Sequence, residues 1–198
     1  MADNPESFQD AGYVLKENDL VVDVDNVEKH VLEKLISLFN IKTQIVWTTR
    51  GAHFYFKKPI GFKGSKKVCP LGFEVEYKHI SNTKYITIKQ AGTLRIIENE
   101  GIREDLPELF FSKRKLESLL GMSESEGRNN ALYVHRMKIS ELQQWKSILR
   151  FINNNIFAEP LPEDEFQEVS RDGIKIDAKK NSEPEIAEVL LAKYKAVS

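Results

Sequence analysis

Two aspartates separated by one residue stand inside a β-branched apolar run, Leu20-Val21-Val22-Asp23-Val24-Asp25-Asn26. In a strand, residues i and i+2 leave the same face, so Asp23 and Asp25 point one way and Val22 and Val24 the other, into a core. Two like charges side by side repel. Hard oxygen ligands suit Mg²⁺ or Mn²⁺, which would offset that repulsion. The plainer alternative is a strand end whose aspartates face water. Glu74 and Glu76 repeat the spacing in Gly72-Phe73-Glu74-Val75-Glu76-Tyr77-Lys78. If the two strands meet on one sheet face, Asp23, Asp25 and one Glu make the carboxylate set of a two-metal phosphoryl-transfer centre. Otherwise Glu74 and Glu76 are solvated residues balanced by Lys78.

A third group is Arg50-Gly51-Ala52-His53. Gly51 lets backbone amides approach a ligand closely. Arg50 and His53 place a planar fork and an imidazole on either side, which suits a triphosphate. The ordinary alternative for His53 is a hydrogen-bonded structural histidine. Lys57, Lys58, Lys63, Lys66 and Lys67 lie close together with Gly61 and Gly64 among them. A basic loop beside Phe62 can track a phosphate backbone, or simply be solvated. His30, His79 and His135 show no metal-ligand spacing, and Cys69 has no evident His–Asp partnership. No Gly-x-x-x-x-Gly-Lys phosphate loop is present, so the chain carries no helicase motor of its own.

These groups need elements to position them. Residues 11–16 read as a strand and 17–19 as a turn, which makes 20–25 the hairpin partner of the first strand. Asp25 or Asn26 then caps a helix whose stripe is Val27, Val31, Leu32, Leu35, Ile36 and Phe39, stopping near Asn40. Strands follow at 43–49 and 52–57 around the Arg50-Gly51 turn. A Gly/Lys loop runs from Pro59 to Pro70, and further strands cover 72–78, 85–89 and 94–97. The pattern over 11–97 is α+β, about seven strands and one long helix with mostly hairpin connections. Beyond it the spacing predicts a short helix over 112–120, a polar loop over 121–130, and helix from Ala131 to Phe157 with Ser140 as an N-cap. A short helix over 163–170, a charged linker over 177–183 and an amphipathic helix over 184–194 complete the chain.

With 198 residues, 41% hydrophobic and 30% charged, the composition is that of a soluble globular protein. Net charge is −1, so a nucleic-acid surface would have to be a local patch. The single cysteine excludes a disulfide framework within one chain and points to a reducing compartment. Residues 1–10 are polar and acidic, unlike a signal peptide, and no apolar run approaches the roughly 20 residues of a membrane span.

Taken in order, the motifs resemble the primase–polymerase (prim-pol) domain of phage and plasmid replication proteins, in the archaeo-eukaryotic primase superfamily. Val21-Val22-Asp23-Val24-Asp25-Asn26 resembles the Asp-x-Asp metal motif. Thr48-Thr49-Arg50-Gly51-Ala52-His53-Phe54-Tyr55-Phe56 resembles the His-containing nucleotide motif, and Gly72 to Lys78 the third acidic motif. Lys89, Gly92 and Arg95 resemble the basic stretch that follows. Leu106-Pro107, Gly121, Gly127 to Tyr133, Ile152-Asn153 and Glu159-Pro160-Leu161 resemble the helical segment after the catalytic core.

The resemblance implies an RRM-like mixed or antiparallel catalytic sheet over 11–110, after a flexible N-terminus at 1–10. A helical module over 111–176 would follow, then a linker and helix at 177–198 leading towards a fused or associated helicase. It implies template-dependent primer synthesis on single-stranded DNA from NTPs or dNTPs, inside a bacterial or archaeal host cell. A two-metal site of Mg²⁺ or Mn²⁺ would be held by Asp23, Asp25 and Glu76, with Glu74 open as the third ligand. Arg50 and His53 would grip the triphosphate, with Lys78 and Lys89 as further candidates. Lys63, Lys66, Lys67 and Arg128 would meet nucleic acid. A metal-dependent nuclease and a non-catalytic single-strand-binding module remain the alternatives.

Overall fold

The computed structural model describes residues 8–172, and the linker and helix expected over 177–198 lie outside them. Among the described residues the fold is α+β, with two mainly antiparallel sheets and four α-helices. The larger sheet is centred on β2 (Asp19–Asp25), β4 (Gly51–Lys57) and β6 (Glu74–Lys78). Its full order is β5-β6-β2-β4-β3-β9, with β3 at Gln44–Trp47, β5 at Lys66–Val68 and β9 at Ile97–Glu98. A short β10 (Glu104–Asp105) runs parallel to β4 beyond the end of β3. The smaller sheet has the order β1-β7-β8, from Ala11–Val14, Tyr85–Gln90 and Thr93–Leu94.

The expected 11–25 hairpin does not form. β1 pairs with β7 in the small sheet, and β2 is flanked by β4 and β6. The reason lies in β2 itself. Leu20, Val22 and Val24 are fully buried on one face and Val21 on the other, so the strand needs cover on both sides. A strand so apolar takes the sheet centre, and β1, which alternates between half-buried and exposed, takes an outer position. The run at 94–97 also divides: its start joins the small sheet as β8 and its end joins the large sheet as β9. The Gly/Lys loop folds back at residues 66–68 as the edge strand β5.

The main core lies on the Val22/Val24 face. Phe54 and Phe56 of β4 flank Phe110, with ring centroids 5.1 and 5.5 Å away. Onto this face pack α1 (Lys29–Leu38), α2 (Arg128–Ile139), α3 (Trp145–Asn155) and α4 (Glu163–Ser170), all in one continuous apolar cluster. The helical segment therefore shares the core of the sheet. His135 of α2 is buried, and its Nε2 donates to the Pro70 carbonyl at 2.7 Å, which ties the helix to the segment leading into β6. That burial pushes the His135 pKa down. A second, smaller cluster on the opposite face joins Val21, Val46 and Tyr55 to Leu15 and Ile86 of the small sheet and its lead-in. The small sheet thus lies over the Val21 and Tyr55 face of the large sheet.

Several helix boundaries differ from expectation. α1 begins after Glu28, because Asn26 adopts a left-handed φ of 60° that turns the chain out of β2. Residues 112–120 form no helix. Leu116 and Leu119 are buried, and the Leu119 amide bonds the Gly72 carbonyl at 2.7 Å, so tertiary partners replace the internal helical bonds. Ser140 closes α2 rather than opening α3, which starts at Trp145.

Thr43 joins three segments just ahead of β3. Its hydroxyl donates to the Tyr55 carbonyl and accepts from the Glu104 amide at 3.3 Å, fully buried. Thr43→Val is expected to cost about 1–3 kcal/mol, the range for stranding a buried partner. The midpoint of urea unfolding measures it, and an unchanged midpoint would remove this residue as a clamp.

Candidate functional site

Strand register assembles the site. Asp23 is directly opposite His53 of β4 on one side and Glu76 of β6 on the other. Directly opposed residues share a face. Asp23, His53 and Glu76 therefore form a row across three adjacent strands, with Asp25 one step along β2 on the same face. Glu74 lies one step from Glu76, opposite Val68 of β5, and is paired to Lys66 at 2.6 Å. Register thus sets Glu76, not Glu74, level with Asp23.

Asp23 is only 5% exposed, whereas Asp25 is exposed. The two oxygens of Asp23 meet different neighbours. The Lys78 ammonium hydrogen-bonds Oδ2. Oδ1 has His53 Nε2 3.2 Å away, but without the alignment of a hydrogen bond, and it stays unpartnered. Lys78 also lies 3.8 Å from Glu76 Oε2, so its ammonium bridges the two carboxylates. Burial alone would raise the Asp23 pKa. The His53 and Lys78 groups outweigh it and hold the carboxyl below its ordinary value. Because the folded value is the depressed one, Asp23 contributes stability above the unfolded carboxyl pKa and loses it as pH falls through the folded value. Relative to Asp23→Asn, wild type should therefore lose urea resistance faster below about pH 4. Parallel pH profiles for the two proteins would overturn that expectation.

Two clefts adjoin the aspartates. One, of about 330 Å³, is lined by Asp23 and Asp25, by Thr48, Thr49 and Arg50 of the β3–β4 turn, by His53 and Lys78, and by the underside of the small sheet. Arg95, which follows β8, closes it, its guanidinium donating to the Thr87 carbonyl at 2.8 Å. Four basic or imidazole side chains thus surround the carboxylates. Thr48 Oγ1 and His53 Nδ1, like Asp23 Oδ1, are buried without hydrogen-bond partners. Such atoms cost stability wherever nothing satisfies them, and these three belong to residues that line the one cleft. The other cleft, of about 370 Å³, lies on the far side of Asp23 and Asp25. It is lined by Asn26, Lys66, Glu74, Glu76 and the Ser118–Leu120 segment.

The remaining sequence candidates take varied positions. Gly51 brings its backbone close against β2: a Cβ there would overlap the Val24 carbonyl oxygen. Lys89 sits on β7 opposite Ala11, outside the residues lining the cleft. Lys63 is exposed on its loop. Lys67 bonds the Ser112 carbonyl and lies 5.3 Å from the Phe111 ring centroid, which holds it against the protein. Arg128 is buried beside Glu159, 3.4 Å away. Sequence reasoning missed Thr48, Tyr85 and Gln90 as cleft residues, because only the docking of the small sheet brings them together.

Among the described residues, no three His, Cys, Asp or Glu side chains converge closely enough to hold a metal ion as they stand. The donor set nonetheless has the right chemistry for a hard cation: three carboxylates on one face, one of them with a buried oxygen that lacks a hydrogen-bond partner, and two of them, Asp23 and Glu76, bridged by the Lys78 ammonium. Among the described residues no helix is long and apolar enough to cross a membrane. Neither a protein-family model, nor a curated protein, nor a solved structure matches this chain.

Proposed function

We propose that the protein is a template-dependent primase–polymerase of a mobile element, making or extending primers on single-stranded DNA. The supporting observation is the row Asp23–His53–Glu76 across three strands, set beside a cleft that carries Arg50, Lys78 and Arg95. Carboxylates beside a basic cleft are the complement of a metal-bound nucleoside triphosphate.

In this reading Asp23, Asp25 and Glu76 hold Mg²⁺ or Mn²⁺. When bound, the metal supplies Lewis-acid activation of a hydroxyl nucleophile and charge neutralisation at the leaving pyrophosphate. The side chains of the chain do the rest. Arg50, exposed at the turn, and Arg95, on the opposite wall, bind phosphate oxygens from two sides. His53 is fixed between β2 and β3, so it can hold one oxygen position without reorganising. The second cleft, beyond the aspartates, leaves room for the strand that is extended. The RRM-like superfamily assignment, the choice of an NTP or dNTP, and a helicase partner belong to the same proposal.

Purified protein should extend a primer on a single-stranded template when given NTPs or dNTPs with Mg²⁺ or Mn²⁺. Absence of any product with either nucleotide set would overturn the reading. Cleavage of labelled DNA without nucleotides would favour a nuclease. Single-strand binding that survives neutralisation of both aspartates, with no product, would favour a binding module.

Arg50→Ala tests the phosphate role with little structural penalty, since the side chain is exposed. It should raise the nucleotide KM about tenfold, the loss of a single charge-assisted contact, and leave the melting temperature within about a degree. An unchanged KM would move the triphosphate elsewhere.

A further inference from the structure

Lys78 stands where the proposed function calls for a cation. Its side chain, 21% exposed, comes from the last residue of β6 and lies on the same face as Glu76. By register it is opposite Val21, one step along from the Asp23–Glu76 pair, and it reaches diagonally to Asp23 Oδ2. Its Nζ is also 3.8 Å from Glu76 Oε2. The same side chain lines the basic cleft with Arg50, His53 and Arg95. Two environments are therefore within reach of one ammonium: the carboxylates, and the space where phosphate oxygens would lie.

We propose that Lys78 is a built-in counter-cation that a divalent metal ion must displace from Asp23, and that the displaced ammonium turns to the triphosphate in the adjoining cleft. The inference rests on the metal-dependent reading of this site given above.

The physical argument is one of charge balance. Asp23, Asp25 and Glu76 on one face repel one another, and a buried carboxylate without a counter-ion is costly. In the absence of a metal, Lys78 satisfies Asp23 and lets the strands pair. A divalent ion arriving at the same carboxylates cannot share Oδ2 with an ammonium, because like charges at contact distance repel strongly in a partly buried site. Lys78 has a long flexible stem, so leaving costs little strain. An incoming triphosphate brings negative charge to the cleft and gives the ammonium a second partner. Metal and nucleotide should then bind with positive coupling: the metal frees Lys78 for the phosphates, and the phosphates favour the conformer that leaves the carboxylates open.

The decisive measurement is Mn²⁺ binding to the metal-free protein, read from the free-ion electron paramagnetic resonance signal. Lys78→Gln should bind Mn²⁺ at least about tenfold more tightly than wild type, since removal of one competing unit charge is worth at least that at contact distance. Lys78→Arg, which keeps the charge, should stay near wild type, and Asp23→Asn should lose binding. In steady state Lys78→Gln should need less metal for half-maximal rate and show a higher nucleotide KM. The wild-type protein provides a readout that needs no variant to fold. In lysine-selective ¹H–¹⁵N spectra, the Lys78 ammonium signal should shift or vanish on addition of Mg²⁺, and the change should be absent in Asp23→Asn. Equal or weaker Mn²⁺ affinity in Lys78→Gln, or a Lys78 signal unmoved by saturating Mg²⁺, overturns the displacement role while leaving the nucleotidyl-transfer reading in place. Failure of wild type and Lys78→Gln alike to bind Mn²⁺ overturns both.

Discussion

The Asp23→Asn protein is expected to fold and to lose primer extension by roughly a thousandfold or more, about 4 kcal/mol of transition-state stabilisation. The substitution keeps the shape of the side chain and removes only its charge. Asp23 is the one carboxylate of the set that is buried, and it sits at the centre of the row, bounded by His53 and Glu76. Its neighbours cannot substitute for it: Asp25 is exposed at the end of β2, and Glu76 is half-exposed. A stability cost accompanies the change, because the Lys78 ammonium then faces a neutral amide. That cost should be about 1–3 kcal/mol, as for other charge-assisted bonds. Circular dichroism melting beside the extension assay separates the two effects. A folded Asp23→Asn protein that still extends primers would end the assignment of Asp23 as the metal anchor.

Gly51→Ala should be the most disruptive small substitution near the site. Gly51 pairs with Asp25 across the β2–β4 ladder. An added methyl would overlap the Val24 carbonyl oxygen and lie 3.3 Å from the Asp25 Cα. The obstacle is backbone, so no side-chain rotation relieves it. The strands must part at the end that carries Asp25 and the Thr48–Arg50 turn. Overpacking of this kind costs about 3 kcal/mol. The rate should fall at least about a hundredfold, because a shift of an ångström in positioned groups has that effect. Urea denaturation and primer extension on the same preparation test both. Retention of wild-type stability would show that the β3–β4 turn absorbs the methyl group. This strand contact by itself requires glycine at position 51.

Much of the site was legible because strand periodicity is short-range. Asp23 and Asp25 share a face as the i, i+2 rule requires, and Val22 and Val24 are buried opposite them. The β3–β4 hairpin follows from its Arg-Gly turn, and the α1 stripe buries Val31, Leu32 and Leu35 as the spacing predicts. α4 occupies the expected 163–170. The failures are non-local. The hairpin expected over 11–25 gave way to β1–β7 pairing, because a strand buried on both faces needs neighbours that only distant segments supply. Residues 112–120 looked helical but are held by Gly72 and by the burial of Leu116 and Leu119. Lys67 was a candidate by charge and Arg128 by the resemblance, yet their side chains are engaged by the protein itself. Residue type alone does not distinguish a free cation from a structural one.

The chain by itself determined which residues are chemically equipped: paired carboxylates in a buried strand, a second acidic strand, and a basic turn ending in His53. Those properties follow from side-chain type and from a two-residue repeat. Tertiary structure alone decided which carboxylate stands level with Asp23, because inter-strand register depends on the packing of Val22 and Tyr77 against the same core. It decided that the small sheet would roof the cleft and bring Arg95 to it. It also decided that Lys78 would lie against the carboxylates, a placement that arises from a diagonal contact between strands more than fifty residues apart in sequence.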